Sequence, residues 1–156
     1  MPNVRVSGVP ADVPPKVIAD LRAAIQNAVM SIKELEIGAL DWTAVYFVAP
    51  HPGDRPTSGR STNPVRILIE VAGLFRGQDW PQRSPEVRQR LVFAIASVME
   101  RAVRIRRTVG CGLDKVAMIE VLEWPFDTTL ADPLESADVP ANRQGYSCVT
   151  IDNDKS

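Results

Sequence analysis

Residues 2–48 have the sequence PNVRVSGVPADVPPKVIADLRAAIQNAVMSIKELEIGALDWTAVYFV, and this stretch decides the fold. Near its start Val4 and Val6 alternate with polar residues, which is the two-residue period of a β-strand. After a proline-containing turn, apolar residues recur at steps of three and four, which predicts an amphipathic helix of roughly four turns. These residues are Val17, Leu21, Ile25, Ala28, Val29 and Ile32. Residues 42–48 predict a second strand, so the stretch forms one β-α-β unit.

The same order of elements recurs further along the chain. Residues 50–64 are rich in Pro, Gly, Asp, Ser and Thr and predict a long exposed loop, after which residues 65–74 predict a third strand. The segment Ser84-Pro85-Glu86 predicts a helix start, because it supplies a hydroxyl cap, a proline at the first position and an early acid. The second apolar stripe comprises Val87, Leu91, Ile95, Val98 and Ala102. Residues 115–122 predict a fourth strand.

A short motif marks the repeat, because Leu40-Asp41 precedes the second strand as Leu113-Asp114 precedes the fourth. The two units predict an α+β fold in which a four-stranded sheet carries two helices on one face, with right-handed crossovers. Strands three and four are apolar on both sides, so the other face also needs cover, and a partner subunit is the simplest one. We therefore expect one domain over residues 1–125, and a tail over residues 126–156 that wraps a neighbouring subunit or is partly disordered.

The composition narrows the class of protein. The 156 residues carry a formal net charge of −1, which gives no global attraction to nucleic acid or to a membrane. The two cysteines and one histidine lack the spacing of a zinc site. No apolar run approaches the roughly 20 residues of a membrane span, and the N-terminus lacks the pattern of a secretory signal. We expect a soluble cytoplasmic protein with free thiols.

Pro2 is the residue with the most distinctive chemistry. Its small size allows removal of the initiator methionine, which would leave a secondary amine at the start of the first strand. An α-amino group has a pKa near about 8 in water, against about 10.4 for lysine, and burial or nearby cations would lower it further. A rigid, uncharged amine suits a general base. The alternative is that Met-Pro is only a common beginning, with proline tolerated as the first residue of a strand.

Proline directly before a strand, followed by a repeated β-α-β unit, resembles the tautomerase superfamily, the 4-oxalocrotonate tautomerase-like proteins. The resemblance covers residues 2 to 125. It implies a tandem β-α-β chain that forms a homotrimer and needs no cofactor. It also implies that Pro2, as the N-terminal residue of the mature chain, is the catalytic base or acid.

The segment between strand three and helix two carries the second part of the resemblance. It contains Ala72-Gly73-Leu74-Phe75-Arg76 and, after an extra stretch at residues 77–81, Gln82-Arg83-Ser84-Pro85. It looks like the equivalent part of cis-3-chloroacrylic acid dehalogenase and malonate semialdehyde decarboxylase, each of which has two arginines there. The resemblance implies that Arg76 and Arg83 bind a substrate carboxylate, and a strand end beside a helix N-terminus is a natural place to hold an anion. The residues alone leave open that both arginines are solvated loop residues.

Two acidic residues are further candidates. Asp41 resembles the aspartate that assists malonate semialdehyde decarboxylase by orienting water or a substrate group, although a repeated turn would also place Leu-Asp before each strand. Glu120 shares its predicted strand face with Val116, Met118 and Leu122, and a carboxylate on an apolar face is unfavourable unless it is paired. Glu120 is therefore predicted either as a second acid-base group or as half of an ion pair at a subunit interface.

The sequence also departs from the family pattern. The helix-one histidine of the dehalogenase corresponds to a position near Val29, and its strand-four tyrosine to Glu120. Its downstream glutamate has no secure match, although Asp127 and Glu135 lie in the region. The arginine that 4-oxalocrotonate tautomerase has before strand two is replaced near Thr43. Efficient dehalogenation is therefore not expected.

The sequence thus predicts a homotrimeric enzyme, independent of cofactors and metals, that acts on a small 2-oxo, 2-hydroxy-alkenoic or 3-substituted acrylic acid. A neutral Pro2 would catalyse keto-enol tautomerisation, whereas a cationic Pro2 would favour acid-assisted hydration or decarboxylation. One alternative is a non-catalytic trimer that retains the fold as a binding or interaction protein. A ferredoxin-like regulatory domain that senses a small acid through the same arginines is another.

Overall fold

The computed structural model describes residues 2–49, 65–76, 84–106, 111–127 and 146–151, with only the backbone described for residues 74–76 and 125–127. Within these ranges the chain forms two α-helices and five β-strands. The helices are α1 (Pro15–Met30) and α2 (Pro85–Arg106). The strands are β1 (Asn3–Ser7), β2 (Ala44–Phe47), β3 (Val65–Arg76), β4 (Val116–Asp127) and β5 (Tyr146–Thr150). Arg83 and the loop predicted over residues 50–64 lie outside the described residues.

The five strands form one mixed sheet in the order β2-β1-β3-β4-β5. β1 and β2 are parallel and joined through α1, and β3 and β4 are parallel and joined through α2. The two units meet where β1 runs antiparallel to β3. The predicted tandem β-α-β architecture is therefore confirmed, and the fold class is α+β.

Both helices begin where the sequence supplies the appropriate residue. Pro15 occupies the first turn of α1, where its fixed φ suits a helix and its missing N–H leaves no hydrogen bond unmade. At the start of α2 the amide of Val87 donates to the hydroxyl of Ser84 over 3.4 Å, so Ser84 is the predicted cap. Each helix then directs its apolar stripe to the sheet, and the two helices also pack against each other.

The core lies between the helices and one face of the sheet. One row of residues across that face runs from Val45 through Val4 and Val71 to Glu123, and the next row contains Val6, Ile69 and Val121. The largest apolar side chains buried there are Leu21, Ile25, Ile67, Ile69, Leu91, Ile95, Met99, Leu113, Ile119 and Ile151. Each contributes about 1.5–3 kcal/mol by leaving water, which is what holds the helices on this face.

The prediction of four strands is wrong, because residues 146–150 form a fifth strand that runs antiparallel to β4. This strand lies within the stretch predicted as a tail. It is held on its other side by Gln89 of α2, whose amide nitrogen donates to the carbonyl of Tyr146 over 2.7 Å. The amide of Tyr146 donates in turn to the side-chain oxygen of Gln89 over 3.2 Å. Ile151 then enters the core, which ties the end of β5 to the sheet.

A register shift near the start of β4 corrects a second expectation. The pairing moves from Val65–Val116 to Arg66–Met118, so one residue of β4 is left over. Such a bulge reverses the side-chain alternation relative to the partner strand. Val116 is consequently buried under the helices, whereas Met118 and Glu120 point to the opposite face. The prediction that Val116 shares a face with Glu120 is therefore wrong.

The sheet face that points away from the helices is amphipathic. Leu68, Met118 and Leu122 are half-buried on it, and Tyr46, Trp124 and Tyr146 are exposed at 60%, 47% and 47%. Both cysteines are free thiols, with Cys148 exposed on this face and Cys111 half-buried near the end of α2. Within the described residues, neither helix combines the length and apolar character that crossing a membrane requires.

Candidate active site

Pro2 lies at one end of the helix-facing layer, directly before β1. It is buried, and its carbonyl accepts a hydrogen bond from the amide of Ala44 over 3.2 Å. This bond extends the β1–β2 ladder by one step, since Asn3 is the partner of Ala44 in that parallel pair. Pro2 is therefore fixed by the sheet rather than carried on a loose terminus, and it does not project into bulk solvent.

The neighbours of Pro2 in the sheet follow from the register. Because Asn3 is opposite both Ala44 and Ala72, Pro2 comes next to Thr43 on one side and Gly73 on the other. Thr43 is a buried polar residue, only 1% exposed. Its carbonyl accepts a hydrogen bond from the amide nitrogen of Gln26 on α1 over 3.0 Å. This contact anchors the segment beside Pro2 to the first helix.

Asp41 lies two residues before Thr43, in a short 3-10 turn formed by Leu40–Trp42. Its side chain is exposed. Its counterpart Asp114 lies in an equivalent 3-10 turn, Leu113–Lys115, directly before β4. The repeated Leu-Asp motif therefore encodes the same local turn in both units, and in the first unit that turn borders the end of the sheet where Pro2 lies.

Of the two predicted arginines, Arg76 lies within the described residues and Arg83 does not. Arg76 is the last residue of β3, and its backbone is paired with Asp127 of β4. The carboxyl end of β3 therefore lies at the Pro2 end of the sheet, three residues beyond Gly73. Arg83 is outside the described residues and directly precedes Ser84, the cap of α2. Both predictions remain predictions.

The partial positive charge at the first turn of α2 is already partly neutralised by a carboxylate. The pKa of the Glu86 carboxyl is lowered from its usual 4.5 because it accepts a hydrogen bond from its own backbone amide and a second from Ser84. A carboxylate in this position stabilises the positive end of the helix. A substrate anion approaching α2 would therefore depend on arginine side chains more than on the first amides of the helix.

Glu120 is not brought to Pro2 within one chain. It lies on the opposite face of the sheet and pairs with Leu68, which in turn is opposite Ser7 at the far end of β1. There its carboxylate forms an ion pair with Arg66 and accepts a hydrogen bond from the hydroxyl of Tyr146 over 3.0 Å. This hydrogen bond, with smaller contributions from burial and Cys148, raises the pKa of Tyr146 to about 12. The predicted ion pair of Glu120 is thus formed within the subunit.

The structure contains a buried charged pair that the sequence reasoning missed. Arg88 of α2 is 2% exposed and Glu123 of β4 is 0% exposed, and the guanidinium Nη1 lies 3.4 Å from the carboxylate. Glu123 is two strands away from Val4, which corresponds to roughly 10 Å. The sequence does indicate that both charges are buried, since Arg88 lies three residues before Leu91 on the apolar stripe of α2 and Glu123 interrupts the apolar run of β4.

Comparisons with known proteins agree with this architecture. No protein-family model matches the sequence, and no curated protein matches it significantly. Among solved structures, a fused 4-OT described as a wild-type symmetric trimer aligns with a TM-score of 0.51 at 17% identity, over 82% of this chain and 86% of that chain. This likeness shows a shared fold, so the resemblance predicted from the sequence is confirmed at that level.

Two further solved structures align with lower scores. Pt0534 inactivated by 2-oxo-3-pentynoate has a TM-score of 0.49 at 20% identity, over 79% of this chain and 86% of that chain. A malonate semialdehyde decarboxylase has a TM-score of 0.46 at 15% identity, over 83% and 86%. At these levels of similarity, no argument about the reaction of this chain is drawn from either structure.

Proposed function

We propose that the chain is a cofactor-independent tautomerase-type enzyme in which the amine of Pro2, freed by removal of Met1, transfers a proton on a small carboxylate substrate. One observation carries the proposal: Pro2 is buried and hydrogen-bonded into the sheet at the end where the β3 and β4 strands finish. A merely tolerated terminal proline would need neither burial nor this location. The fold shared with a fused 4-OT supports the same class of chemistry.

The chemistry requires only proton movements. Pro2 in its neutral form accepts the proton of the 2-hydroxyl group of an enol acid, and the electron pair of that O–H bond forms the C=O bond. The electrons of the carbon–carbon double bond then form a new C–H bond at C3 with the proton that the cationic amine gives up. The product is the 2-oxo acid, and the amine returns to its neutral form. General acid-base catalysis of this kind contributes about 10²–10⁴-fold in rate.

Substrate binding falls to the groups around the same end of the sheet. We assign the carboxylate to Arg76 and Arg83, because the first ends β3 at this edge of the sheet and the second comes two residues before α2 in the sequence. Guanidinium groups bind carboxylates through two parallel hydrogen bonds. Asp41, on the turn beside Thr43, would orient water or the polar end of the substrate. Replacement of Arg76 or Arg83 would therefore raise KM more than it lowers kcat.

The assembly that we propose is a homotrimer. The outer sheet face exposes Tyr46, Trp124 and Tyr146 around half-buried apolar residues, and exposed apolar side chains grouped on one face are typical of a protein–protein contact surface. The fused 4-OT of similar fold is a symmetric trimer. Sedimentation equilibrium tests the assembly directly, and a monomer at micromolar concentration would contradict it.

The decisive experiment begins with the intact mass, because a retained methionine would block the amine and end the proposal. The mature protein and its Pro2→Ala variant are then assayed with phenylenolpyruvate and 2-hydroxymuconate. We expect Pro2→Ala to lower kcat by about 10²-fold or more. Pro14→Ala is the matched control, since Pro14 is exposed at the start of α1 and its loss should leave the rate unchanged.

The outcomes separate the proposal from its alternatives. Equal rates for the mature protein and Pro2→Ala would leave a trimeric binding or interaction protein as the better explanation. Turnover of 3-substituted acrylic acids or of malonate semialdehyde, with Pro2 cationic at neutral pH, would move the reaction to hydration or decarboxylation at the same residue. Binding of small acids that is indifferent to Pro2 would favour a regulatory domain.

A further inference from the structure

The hydroxyl group of Thr43 is buried and unused in the structure. Its Oγ1 atom is inaccessible to solvent and has no hydrogen-bond partner among the residues that the structure describes. The backbone of Thr43 is satisfied, because its amide donates to the carbonyl of Leu40 over 3.2 Å and its carbonyl accepts from Gln26. A buried hydroxyl without a partner is destabilising, and a valine would fill nearly the same space without that penalty. The hydroxyl group of Thr43 therefore points to a role other than stabilising the fold.

The strand register places Pro2 beside the residue that carries this hydroxyl. In a β-strand the N–H and C=O of one residue point towards the same neighbouring strand. The carbonyl of Pro2 points to β2, since it accepts from Ala44. The ring Cδ of Pro2 takes the place of an amide hydrogen on this side, so the freed amine donates through the positions that removal of Met1 opens. Thr43 is the residue opposite Pro2 in this parallel pair, about 4.8 Å away between Cα atoms. Its side chain lies on the same helix-facing side as Val45 and Val4.

We propose that Thr43 Oγ1 is the hydrogen-bond partner of the Pro2 amine in the mature chain, and that it positions this amine and stabilises the cation that forms when the neutral amine has taken the substrate proton. While Met1 is attached, the nitrogen of Pro2 is a tertiary amide that carries no hydrogen and has no lone pair to offer. Removal of Met1 turns it into an amine that can donate to the hydroxyl oxygen. The inference rests on the proposed function, because it assigns a positioning residue to the same catalytic group.

The direction in which Thr43 shifts the pKa of Pro2 depends on whether its hydroxyl binds the cationic or the neutral amine more strongly. A hydrogen bond from a cationic amine is roughly twice as strong as one between neutral groups. Thr43 therefore stabilises the protonated form of Pro2 and raises its pKa, in opposition to burial, which lowers it. The hydroxyl thus keeps the amine able to return its proton to the substrate carbon.

The charged groups on the elements around this end of the sheet are unchanged by the test. The last two turns of α1, residues 23–30, carry no ionisable side chain. The charged groups on the neighbouring elements, together with Arg83, which the proposed function assigns to the substrate, are Lys33, Glu34, Glu36, Asp41, Arg76, Glu86, Arg88, Arg90 and Glu123. Because all of these groups remain in the variants, their influence cancels when the pKa of Pro2 is compared between variant and parent.

The test is a ¹⁵N NMR titration of mature protein labelled with ¹⁵N-proline, in which the amine of Pro2 is distinguished by its pH-dependent shift. Thr43→Val should lower the pKa of Pro2 by about one unit and Thr43→Ser should restore it. The acidic limb of the kcat/KM profile should move by the same amount. Thr150→Val, on the exposed edge of β5, is the matched control and should leave the titration unchanged.

A second measurement is independent of activity. Thr43→Val should lower the melting temperature of the mature protein, because it removes the hydrogen bond to the amine. It should leave unchanged or raise that of a form whose amine is blocked by an uncleaved N-terminal extension. A Pro2 pKa within about 0.2 units of the parent in Thr43→Val, or the same change in melting temperature in both forms, overturns the inference. Loss of activity in Pro2→Ala would still support the proposed function in that case, so the two failures are distinguishable.

Discussion

The buried pair between Arg88 and Glu123 permits a quantitative prediction. Replacing Glu123 with leucine removes the carboxylate that faces a guanidinium group of 2% exposure. Removal of one partner from a buried ion pair costs about 3–5 kcal/mol, because the remaining charge stays in a medium that solvates it poorly. We therefore expect Glu123→Leu to lower the free energy of unfolding by an amount in this range. That is a large part of the 5–15 kcal/mol that typically stabilises a protein.

The double replacement separates the cost of an isolated charge from the worth of the pair. The two Arg88–carboxylate distances are both 3.4 Å, which is long for a charge-assisted hydrogen bond, so this contact by itself offsets only part of the desolvation of two ions. Arg88→Met combined with Glu123→Leu should therefore be as stable as the parent, or more stable by about 1–4 kcal/mol. Such recovery is the signature of a pair that is not kept for stability.

The assay is equilibrium unfolding in urea, followed by circular dichroism at one fixed protein concentration, because assembly would make the apparent stability concentration-dependent. Glu100→Gln is the control, since Glu100 pairs with Arg104 on the surface of α2 over 2.9 Å and such pairs are worth only about 0.3–0.5 kcal/mol. A loss below about 1 kcal/mol in Glu123→Leu would refute the reasoning. A double variant as unstable as the single one would refute it equally.

Two further predictions concern the outer face and the loop after β1. In a Tyr46→Phe background the remaining tyrosine, Tyr146, should titrate with a pKa of about 12, and Glu120→Gln should bring that pKa towards 10 when tyrosinate absorbance is followed. Since the pKa of Tyr146 is higher in the folded than in the unfolded state, the Tyr146–Glu120 contact stabilises the fold below about pH 10, and this stabilisation is lost as the pH rises through about 12. A Tyr146 pKa near 10 in the Tyr46→Phe protein would contradict the contact. Gly8→Ala should destabilise the protein by more than about 2 kcal/mol, because Gly8 has a φ of +81° and a Cβ there would lie 2.1 Å from the carbonyl oxygen of Arg66. Gly38→Ala, whose Cβ would meet only the Trp42 ring at 3.4 Å, is the comparison, and equal melting temperatures for the two variants would contradict the prediction.

Most of the fold could be predicted because it is encoded locally. The stripe from Val17 to Ile32 and the cap at Ser84 determine where α1 and α2 form, and the structure places these helices within a few residues of the predicted bounds. The two β-α-β units follow from the order of those elements. Nothing beyond the period of the apolar residues and the helix-start signals was needed.

The parts that escaped prediction depend on contacts between distant residues. The strand at residues 146–150 is held by Gln89 and the edge of β4, neither of which is visible in the local pattern. The bulge after Val116 is set by pairing with β3, so the face of Glu120 could not be derived from β4 alone. Arg88 and Glu123 are 35 positions apart, and only the packing of α2 on β4 brings them together.

The candidate site was predictable to a lesser degree. The position of Pro2 follows from its place before β1, since a residue at that point must lie at the edge of the sheet. The role of Thr43 could not be inferred, because a buried hydroxyl without a partner is recognised only when the surroundings are known. For Arg76 and Arg83 the order of elements predicts the edge of the sheet at which they lie, but not their contacts.

The distribution of buried polar groups supports the site without recourse to any relative. Four polar or charged side chains are buried among the described residues, namely Thr43, Arg88, Glu123 and Ser147. Thr43, Arg88 and Glu123 occupy the end of the helix-facing layer where Pro2 lies, while the rows around Ile67 and Ile119 are apolar. Selection for stability alone would favour valine, methionine and leucine at these three positions, because each would avoid desolvating a polar group. Departures from a consistent apolar core concentrate at functional sites, and here they concentrate around the residue whose amine we assign to catalysis.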